Sequence, residues 1–208
     1  MVVTPGTTPT PGIVITPGIN QTPGVTPTKG GFTWNAELDK ALSLVPQSQV
    51  TPGGQGMSFI QFAQFKPYQS YALYPIHGNM KNSLDIAADK HLIMNATTGQ
   101  PSQKFLFELE GNMYRIKNMK ENKYLNLVND DQKDGIAVKC EDKGTAKSQY
   151  WAVLPTSDAK YAGKGAYHIR TIFGKTLETP GNKLDNNVKI QQGPYTGADG
   201  QTWVIKEI

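Results

Sequence analysis

The residues of this sequence best suited to covalent or metal chemistry are one cysteine, Cys140, and three histidines, His77, His91 and His168. The histidines are far apart and lack the His-x-x-x-His spacing of a metal site, and a lone cysteine forms neither an internal disulfide nor a CxxC pair. Cys140 lies in an alternating run that begins at Ala137, which predicts a small, inward-facing apolar side chain. No nucleophile elbow, phosphate loop or paired-carboxylate motif is present. We therefore expect no enzyme, no metal site and no cofactor.

A second set of residues recurs with a long period. Three Gln-x-aromatic tripeptides lie 46 and 52 residues apart: Gln103-Lys104-Phe105, Gln149-Tyr150-Trp151 and Gln201-Thr202-Trp203. The aromatic residues are bulky enough to anchor a core. Each glutamine is expected to hydrogen-bond across the turn that ends its repeat. These residues predict a structural repeat.

Each tripeptide follows three short runs with the pattern of β-strands, separated by turn signals such as Asp134-Gly135. The first run begins with a tyrosine (Tyr71, Tyr114, Tyr167). The second sets one polar residue between less polar neighbours (Asp85, Asn126, Glu178). The third is short and largely apolar (residues 92–94, 138–140, 188–190). Because a four-stranded unit cannot bury its apolar face alone, three units must close around a common core. The sequence therefore predicts an all-β fold.

This threefold pattern resembles the ricin-B (R-type) lectin family, whose hallmark is one Gln-x-Trp tripeptide in each repeat. The resemblance covers residues 58–208, with Phe105 standing where the family has tryptophan. It implies a β-trefoil of three four-stranded repeats and the work of a non-catalytic, carbohydrate-binding module. The partners implied are glycans or polysaccharide.

The resemblance also implies where sugars would bind. In the family a second-strand Asp, polar and aromatic third-strand residues and a closing amide form the pocket. Carried over to this chain, the candidate residues are Asp85 and Asn95 in the first repeat, Asn126 in the second, and Glu178 and Gln191 in the third. The third-strand aromatic is absent from every repeat, and Tyr195 is the candidate replacement. We expect Asp85 and Glu178 to lie at exposed strand edges beside a concave surface.

The residues before the repeats have a different character. Residues 1–31 repeat Thr-Pro-Gly every six positions, which predicts a low-complexity linker or stalk. Residues 32–57 are expected to form a short helical or irregular connector, with apolar residues at helical spacing up to Pro46: Trp34, Leu38, Ala41, Leu42 and Val45. The sequence shown carries no signal peptide, yet the stalk composition favours an extracellular or cell-surface location. No apolar run is long enough to span a membrane.

The charge pattern bears on the choice of partner. The formal net charge is +4, and Lys and Asp or Glu residues are interleaved along the chain. Because nucleic-acid readers favour arginine, and only Arg115 and Arg170 are present, we do not expect nucleic-acid binding. The alternative to a lectin is a β-trefoil that binds a protein, such as a protease inhibitor, a toxin component or a structural partner. Its contacts would use the loops at residues 141–148 and 193–200.

Overall fold

The computed structural model describes residues 63–208, apart from 112, 157 and 162, together with the backbone of two short strands that precede them. Strands β1 (Val50–Pro52) and β2 (Ser58–Ile60) pair antiparallel. The linker prediction for residues 1–31 and the helical pattern predicted within residues 32–57 lie outside the described residues. In the part of the chain that is described, no helix has the length and apolarity to cross a membrane.

Three four-stranded units follow. Unit 1 contains β3 (Tyr71–Pro75), β4 (Asn82–Ile86), β5 (Leu92–Ala96) and β6 (Phe105–Glu110). Unit 2 contains β7 (Met113–Asn118), β8 (Lys123–Leu127), β9 (Val138–Glu141) and β10 (Trp151–Pro155). Unit 3 contains β11 (Ala166–Thr171), β12 (Thr176–Glu178), a third strand interrupted at Ile190 into β13 (Val188–Lys189) and β14 (Gln191–Gly193), and β15 (Trp203–Glu207).

The first and fourth strands of the units form a closed six-stranded barrel. The fourth strand of each unit pairs antiparallel with the first strand of the next, as β6 with β7, β10 with β11 and β15 with β3. Within each unit, the tyrosine of the first strand pairs with the tripeptide aromatic: Tyr71 with Phe105, Tyr114 with Trp151 and Tyr167 with Trp203. This closure leaves the six barrel strands without a free edge.

The second and third strands form hairpins that cap one end of the barrel. They are β4–β5, β8–β9 and β12–β14, and the hairpins of units 3 and 1 are joined where β13 pairs with β5. Isolated bridges join His91 to Lys139 and Ala137 to Gln191, so each hairpin contacts both others. A six-stranded barrel capped by three hairpins is a β-trefoil, which confirms the fold expected from the sequence.

The tripeptide aromatics lie at the centre of the core, as predicted. Phe105, Trp151 and Trp203 are all fully buried. Each indole N–H donates to a leucine carbonyl in the second strand of its own unit, Trp151 to Leu125 and Trp203 to Leu177. A buried indole needs such an acceptor, because an unpaired donor in the core is costly. Cys140 is also buried, and burial raises the pKa of its thiol to about 12.

Candidate functional site

The tripeptide glutamines hold the loop that ends each hairpin. The side-chain amide of each donates to the carbonyl seven residues before it (Gln103 to Ala96, Gln149 to Asp142, Gln201 to Pro194), at 2.7–2.8 Å. The amide oxygen of each accepts from the backbone N–H five residues before it (Thr98, Gly144, Thr196), at 2.7–3.0 Å. All three glutamines are buried. Each of these glutamines therefore bonds across the turn that ends its hairpin.

In unit 3 the glutamine also orients a carboxylate. Nε2 of Gln201 donates to Oε2 of Glu178 at 2.8 Å, and Nε2 of Gln191 donates to Oε1 at 2.9 Å. Glu178 is partly exposed at the end of β12. An ionised carboxylate offers about four acceptor positions, so two amide donors leave about two for a ligand. The arrangement can accept hydrogen bonds from the hydroxyl groups of a ligand.

In unit 1 the corresponding carboxylate is more enclosed. Oδ2 of Asp85 accepts from both Asn95 Nδ2 and Gln103 Nε2 at 3.1 Å, and Oδ1 accepts from the backbone N–H of Ile86 at 2.7 Å. Only 8% of Asp85 is exposed. Three of about four acceptor positions are therefore used within the protein.

The expectation that both carboxylates lie at exposed strand edges is thus wrong for Asp85. The cause is the short side chain of aspartate, which reaches the buried amide of Gln103 only by lying inward. The longer side chain of Glu178 makes the equivalent bond to Gln201 while it remains partly exposed. Of the two carboxylates, Glu178 is the more accessible.

Unit 2 has no comparable carboxylate. Asn126, which is 2% exposed, donates to Glu141 and accepts from the hydroxyl of Ser148. Its amide is therefore engaged at both ends by other side chains. Asn126 is thus buried, and both of its partners lie within its own unit.

The ring of Tyr195 has neighbours in the protein. The guanidinium carbon of Arg170 lies 4.7 Å from the Tyr195 ring centre, and the His168 ring meets it edge-on at 5.1 Å. Arg170 and His168 are both buried, and burial lowers the pKa of each, to about 10 for Arg170. One face of the aromatic ring therefore carries a cation, while the side chain stays partly exposed.

Strand register also corrects the equivalence of Gln191. Counting along the sequence makes Gln191 the counterpart of Asn95. In the sheet, however, Asn95 pairs with Ser83. The equivalent residue of unit 3 is Gly193, which pairs with Thr176. Gln191 pairs with Glu178 itself. The interruption of the third strand at Ile190 causes this difference of two residues. The Gln191 side chain nevertheless reaches the Glu178 carboxylate.

A shallow pocket of about 130 Å³ lies in unit 1 beside the Asp85–Gln103 pair. Gln103 forms part of it, with Ala72, Tyr74, Ser83 and Lys104. None of the last four residues is among those that the sequence predicts for a binding site. The signal that could have found them is a comparison across units, because Ala72 stands where units 2 and 3 have Arg115 and His168.

Comparison with known proteins agrees with this geometry. The model of the ricin-type beta-trefoil lectin domain-like family matches residues 101–171, which run from the tripeptide of unit 1 to the end of β11. The matched region is similar to ricin-type β-trefoil lectin domains, and the fold of the domain is a β-trefoil. No sequence among the curated proteins matches this trefoil chain.

Solved structures share the fold of the trefoil. ThreeFoil, a designed three-fold symmetric protein, is 20% identical over 67% of this chain and 99% of its own, with a TM-score of 0.60. A ricin B-like lectin from Macrolepiota procera, solved in complex with lactose, is 17% identical over 70% of this chain and 100% of its own, with a TM-score of 0.58. An exo-β-1,3-galactanase from Clostridium thermocellum is 19% identical over 74% of this chain but 32% of its own, with a TM-score of 0.59. At these identities the likeness concerns the fold.

Proposed function

We propose that this trefoil is a non-catalytic carbohydrate-binding module whose main site is the hairpin of unit 3. The observation that carries the proposal is the Glu178 carboxylate, which Gln191 and Gln201 hold in place while it stays partly exposed. A fixed acceptor with unused lone pairs suits the paired hydroxyl groups of a sugar. The carboxylate has already lost its conformational freedom on folding, so little more is lost when a sugar binds. The lactose complex of the Macrolepiota procera lectin supports a glycan as the ligand class.

The Asp85 hairpin of unit 1 is the secondary site in this proposal. Its carboxylate has about one acceptor position left and is 8% exposed. One hydrogen bond to a ligand is therefore the most that it can add without losing a bond to Asn95 or Gln103. The order of importance is Glu178 first and Asp85 second.

The segments before the trefoil suggest how the module is presented. A Thr-Pro-Gly segment of the composition found in residues 1–31 serves as a spacer in many proteins, because proline stiffens an extended chain. We infer that the trefoil works outside the cell or at its surface, where such a spacer holds it towards polysaccharide. Fractionation of the source cells tests this location, and recovery of the protein only from the soluble interior contradicts it.

A glycan array that includes lactose, followed by titration of the best ligand, tests the proposed function. Glu178→Gln should weaken binding at least tenfold, since a hydrogen bond to a charged group contributes about 1.5–3 kcal/mol. Asp85→Asn should weaken it less. Glu207→Gln is the matched control, because Glu207 lies in an exposed ion pair with Lys66 and should leave binding unchanged.

The salt dependence of binding gives a second test of the proposed function. The affinity for a neutral glycan should change little with salt, because no counter-ions are released when an uncharged ligand binds. If no glycan binds, or if Glu178→Gln binds as well as the wild type, the proposal is wrong. Capture of a protein partner by the loops at residues 141–148 and 193–200 would then support the alternative function.

A further inference from the structure

The barrel has a second end, opposite the three hairpins. Each first strand leads into a hairpin and each fourth strand comes out of one, so the first strands begin and the fourth strands end at this far end. The strand pairs at the far end are Glu110 with Met113, Pro155 with Tyr167 and Glu207 with Tyr71. Because the hairpins cap the other end, the far end needs a different closure.

An aromatic ring from outside the repeats lies at the far end. The ring of Phe65 stacks on that of Phe107, with the two ring centres 4.0 Å apart. Its centre lies 5.1, 5.2 and 6.1 Å from the ring centres of the three first-strand tyrosines, Tyr71, Tyr114 and Tyr167. A ring at similar distances from three equivalent residues lies near the threefold axis of the barrel. Since three repeats cannot all occupy one place on their common axis, a residue from before the first unit fills it.

The backbone of residues 63–66, which we call the plug segment, is bonded to the barrel as well. The N–H of Ala63 donates to a carbonyl of β10 at 2.9 Å, and the Ala63 carbonyl accepts from the hydroxyl of Tyr114 at 2.8 Å. The N–H of Lys66 donates to the hydroxyl of Tyr71 at 2.9 Å. Both tyrosines are buried. The plug segment is therefore held on both sides of its aromatic ring.

The Glu178 carboxylate lies at the opposite end of the barrel. The indole of Trp203 donates to the carbonyl of Leu177, which precedes Glu178 in the hairpin of unit 3. The tripeptide aromatics therefore form the layer of the core that is next to the hairpins. Phe107 lies two residues beyond the tripeptide aromatic of unit 1, in the next layer away from the hairpins. Because Phe65 stacks on Phe107, the core of the barrel separates the plug segment from Glu178.

We propose that the plug segment anchors the preceding chain at the far end, so that the three hairpins face away from that chain. A junction made of a flexible linker alone would let the preceding chain lie beside any face of the domain. The plug segment removes this freedom, because two buried hydroxyl groups and one strand carbonyl hold its backbone. The preceding chain therefore leaves the trefoil on the side opposite Glu178, and the junction does not obstruct a ligand at the hairpins.

Distances between pairs of spin labels test this placement in the full chain. Three exposed positions carry the labels: Gln64→Cys in the plug segment, Lys189→Cys in the hairpin cap and Leu109→Cys near the far end. Cys140 should not react, because it is buried and its thiol has a pKa raised to about 12. The distance from Gln64 to Lys189 should have a narrow distribution and exceed the distance from Gln64 to Leu109.

Phe65→Ala tests whether the ring closes the barrel. The melting temperature should fall by about 5–10 °C, because a space lined by the neighbouring rings is left empty. The distribution of distances from Gln64 to Lys189 should also broaden. Phe65→Leu restores apolar volume and should recover most of the loss. Tyr68→Ala is the matched control, since it removes a ring that is 96% exposed and should change neither measurement.

Tyr71→Phe combined with Tyr114→Phe separates the backbone anchor from the packing of the rings. Both rings remain, but the two hydroxyl groups that bond to the plug segment are lost. The distance distribution from Gln64 to Lys189 should broaden while the barrel stays folded. This double variant keeps the test decisive if Phe65→Ala does not fold.

Coupling the protein to a surface gives a functional measurement, which rests on the proposed function. Protein coupled through the segment before the plug should capture the polysaccharide that binds best on the glycan array. Protein coupled through Lys189→Cys should capture much less, because its hairpins face the surface. Equal capture by the two forms would contradict the orientation.

Failure of this inference differs from failure of the proposed function. A distance from Gln64 to Lys189 that is broadly distributed, or shorter than that from Gln64 to Leu109, overturns the anchor. An unchanged melting temperature in Phe65→Ala overturns the closure of the barrel by its ring. Neither result involves a sugar, so the proposed function would stand. If neither coupled form captures a glycan, the proposed function falls and the spin-label distances decide on the anchor.

Discussion

The carboxylate of Glu178 lies over the α-carbon of Gly193, so that a β-carbon on Gly193 would approach its carboxyl atoms to less than 3.0 Å. No side chain occupies this place in unit 3, whereas Asn95 and Glu141 carry theirs at the equivalent positions. The longer acid of unit 3 and the glycine opposite it therefore form a matched pair. Four predictions follow from this pair and from other features of the domain.

Gly193→Ala should abolish glycan binding at modest cost in stability. The added methyl group displaces the Glu178 carboxylate, the end of a flexible side chain, and breaks its bonds to Gln191 and Gln201. Gly144→Ala is the control, because a β-carbon there meets no atom closer than 3.9 Å. In the double variant with Glu178→Asp the shorter acid withdraws from the methyl group, so binding should return in part. Full binding by Gly193→Ala alone would contradict the site.

The buried tryptophans should dominate stability. Trp151→Ala and Trp203→Ala should each lower the free energy of unfolding by about 3–5 kcal/mol, since each ring is fully buried. Trp203→Phe should cost less, because a ring remains and mainly the bond to Leu177 is lost. Tyr68→Ala, at a side chain that is 96% exposed, should change stability by less than about 0.5 kcal/mol. Urea unfolding measures all four, and tryptophan effects below about 1 kcal/mol would be inconsistent with the core described.

The fall in the free energy of unfolding at acid pH should depend on Glu110. Burial alone would raise the pKa of this carboxyl, but hydrogen bonds from Lys143 and Arg115 outweigh it and lower the pKa below the usual 4.5. The unfolded chain therefore takes up the proton first, and the stabilisation, complete above pH 4.5, is lost as the pH falls towards the folded-state pKa.

Glu110→Gln should cost about 1–3 kcal/mol at neutral pH, because the Arg115 guanidinium, which is 4% exposed, loses its charged partner. The difference from wild type should shrink below pH 4.5. Asp134→Asn, which removes the exposed partner of Lys175, should cost at most about 1 kcal/mol. Chemical unfolding between neutral and acid pH measures these effects, and a pH-independent difference would exclude the proposed linkage.

Removal of residues 1–31 should leave the melting temperature almost unchanged. The prediction comes from sequence, since this segment has no pattern of core-forming residues and lies outside the described part of the chain. Differential scanning calorimetry of the shortened chain provides the measurement. A fall of many degrees would mean that the segment packs against the trefoil.

The trefoil itself could be predicted because its framework residues recur in register. Each tripeptide aromatic pairs with the tyrosine of its own unit, and each tripeptide glutamine bonds at offsets of five and seven residues. Such contacts are repeated because each unit packs the same strands against the common core. A pattern that occurs three times in sequence therefore identifies them.

The site could be predicted only in part, because it depends on what differs between units. The sequence identified Asp85 and Glu178, but their exposure depends on how far each side chain extends from its glutamine. The interruption at Ile190 changed the counterpart of Asn95, and neither Ile190 nor its two neighbours in sequence is a turn residue that would signal it. The pocket beside Ala72 arises from missing side-chain volume, which motif searches do not detect.

The pairing of β15 with β3 has a consequence for how the chain folds. Glu207 pairs with Tyr71, so the strand pair that closes the barrel joins residues from the two ends of the threefold repeat. During synthesis, one edge of β3 stays unpaired until its partner strand, Trp203–Glu207, has left the ribosome. Contacts between residues so distant in sequence form slowly, because closing a long loop loses entropy before any pairing compensates. The edge of β3 is therefore the last barrel edge to be paired as the chain is synthesised.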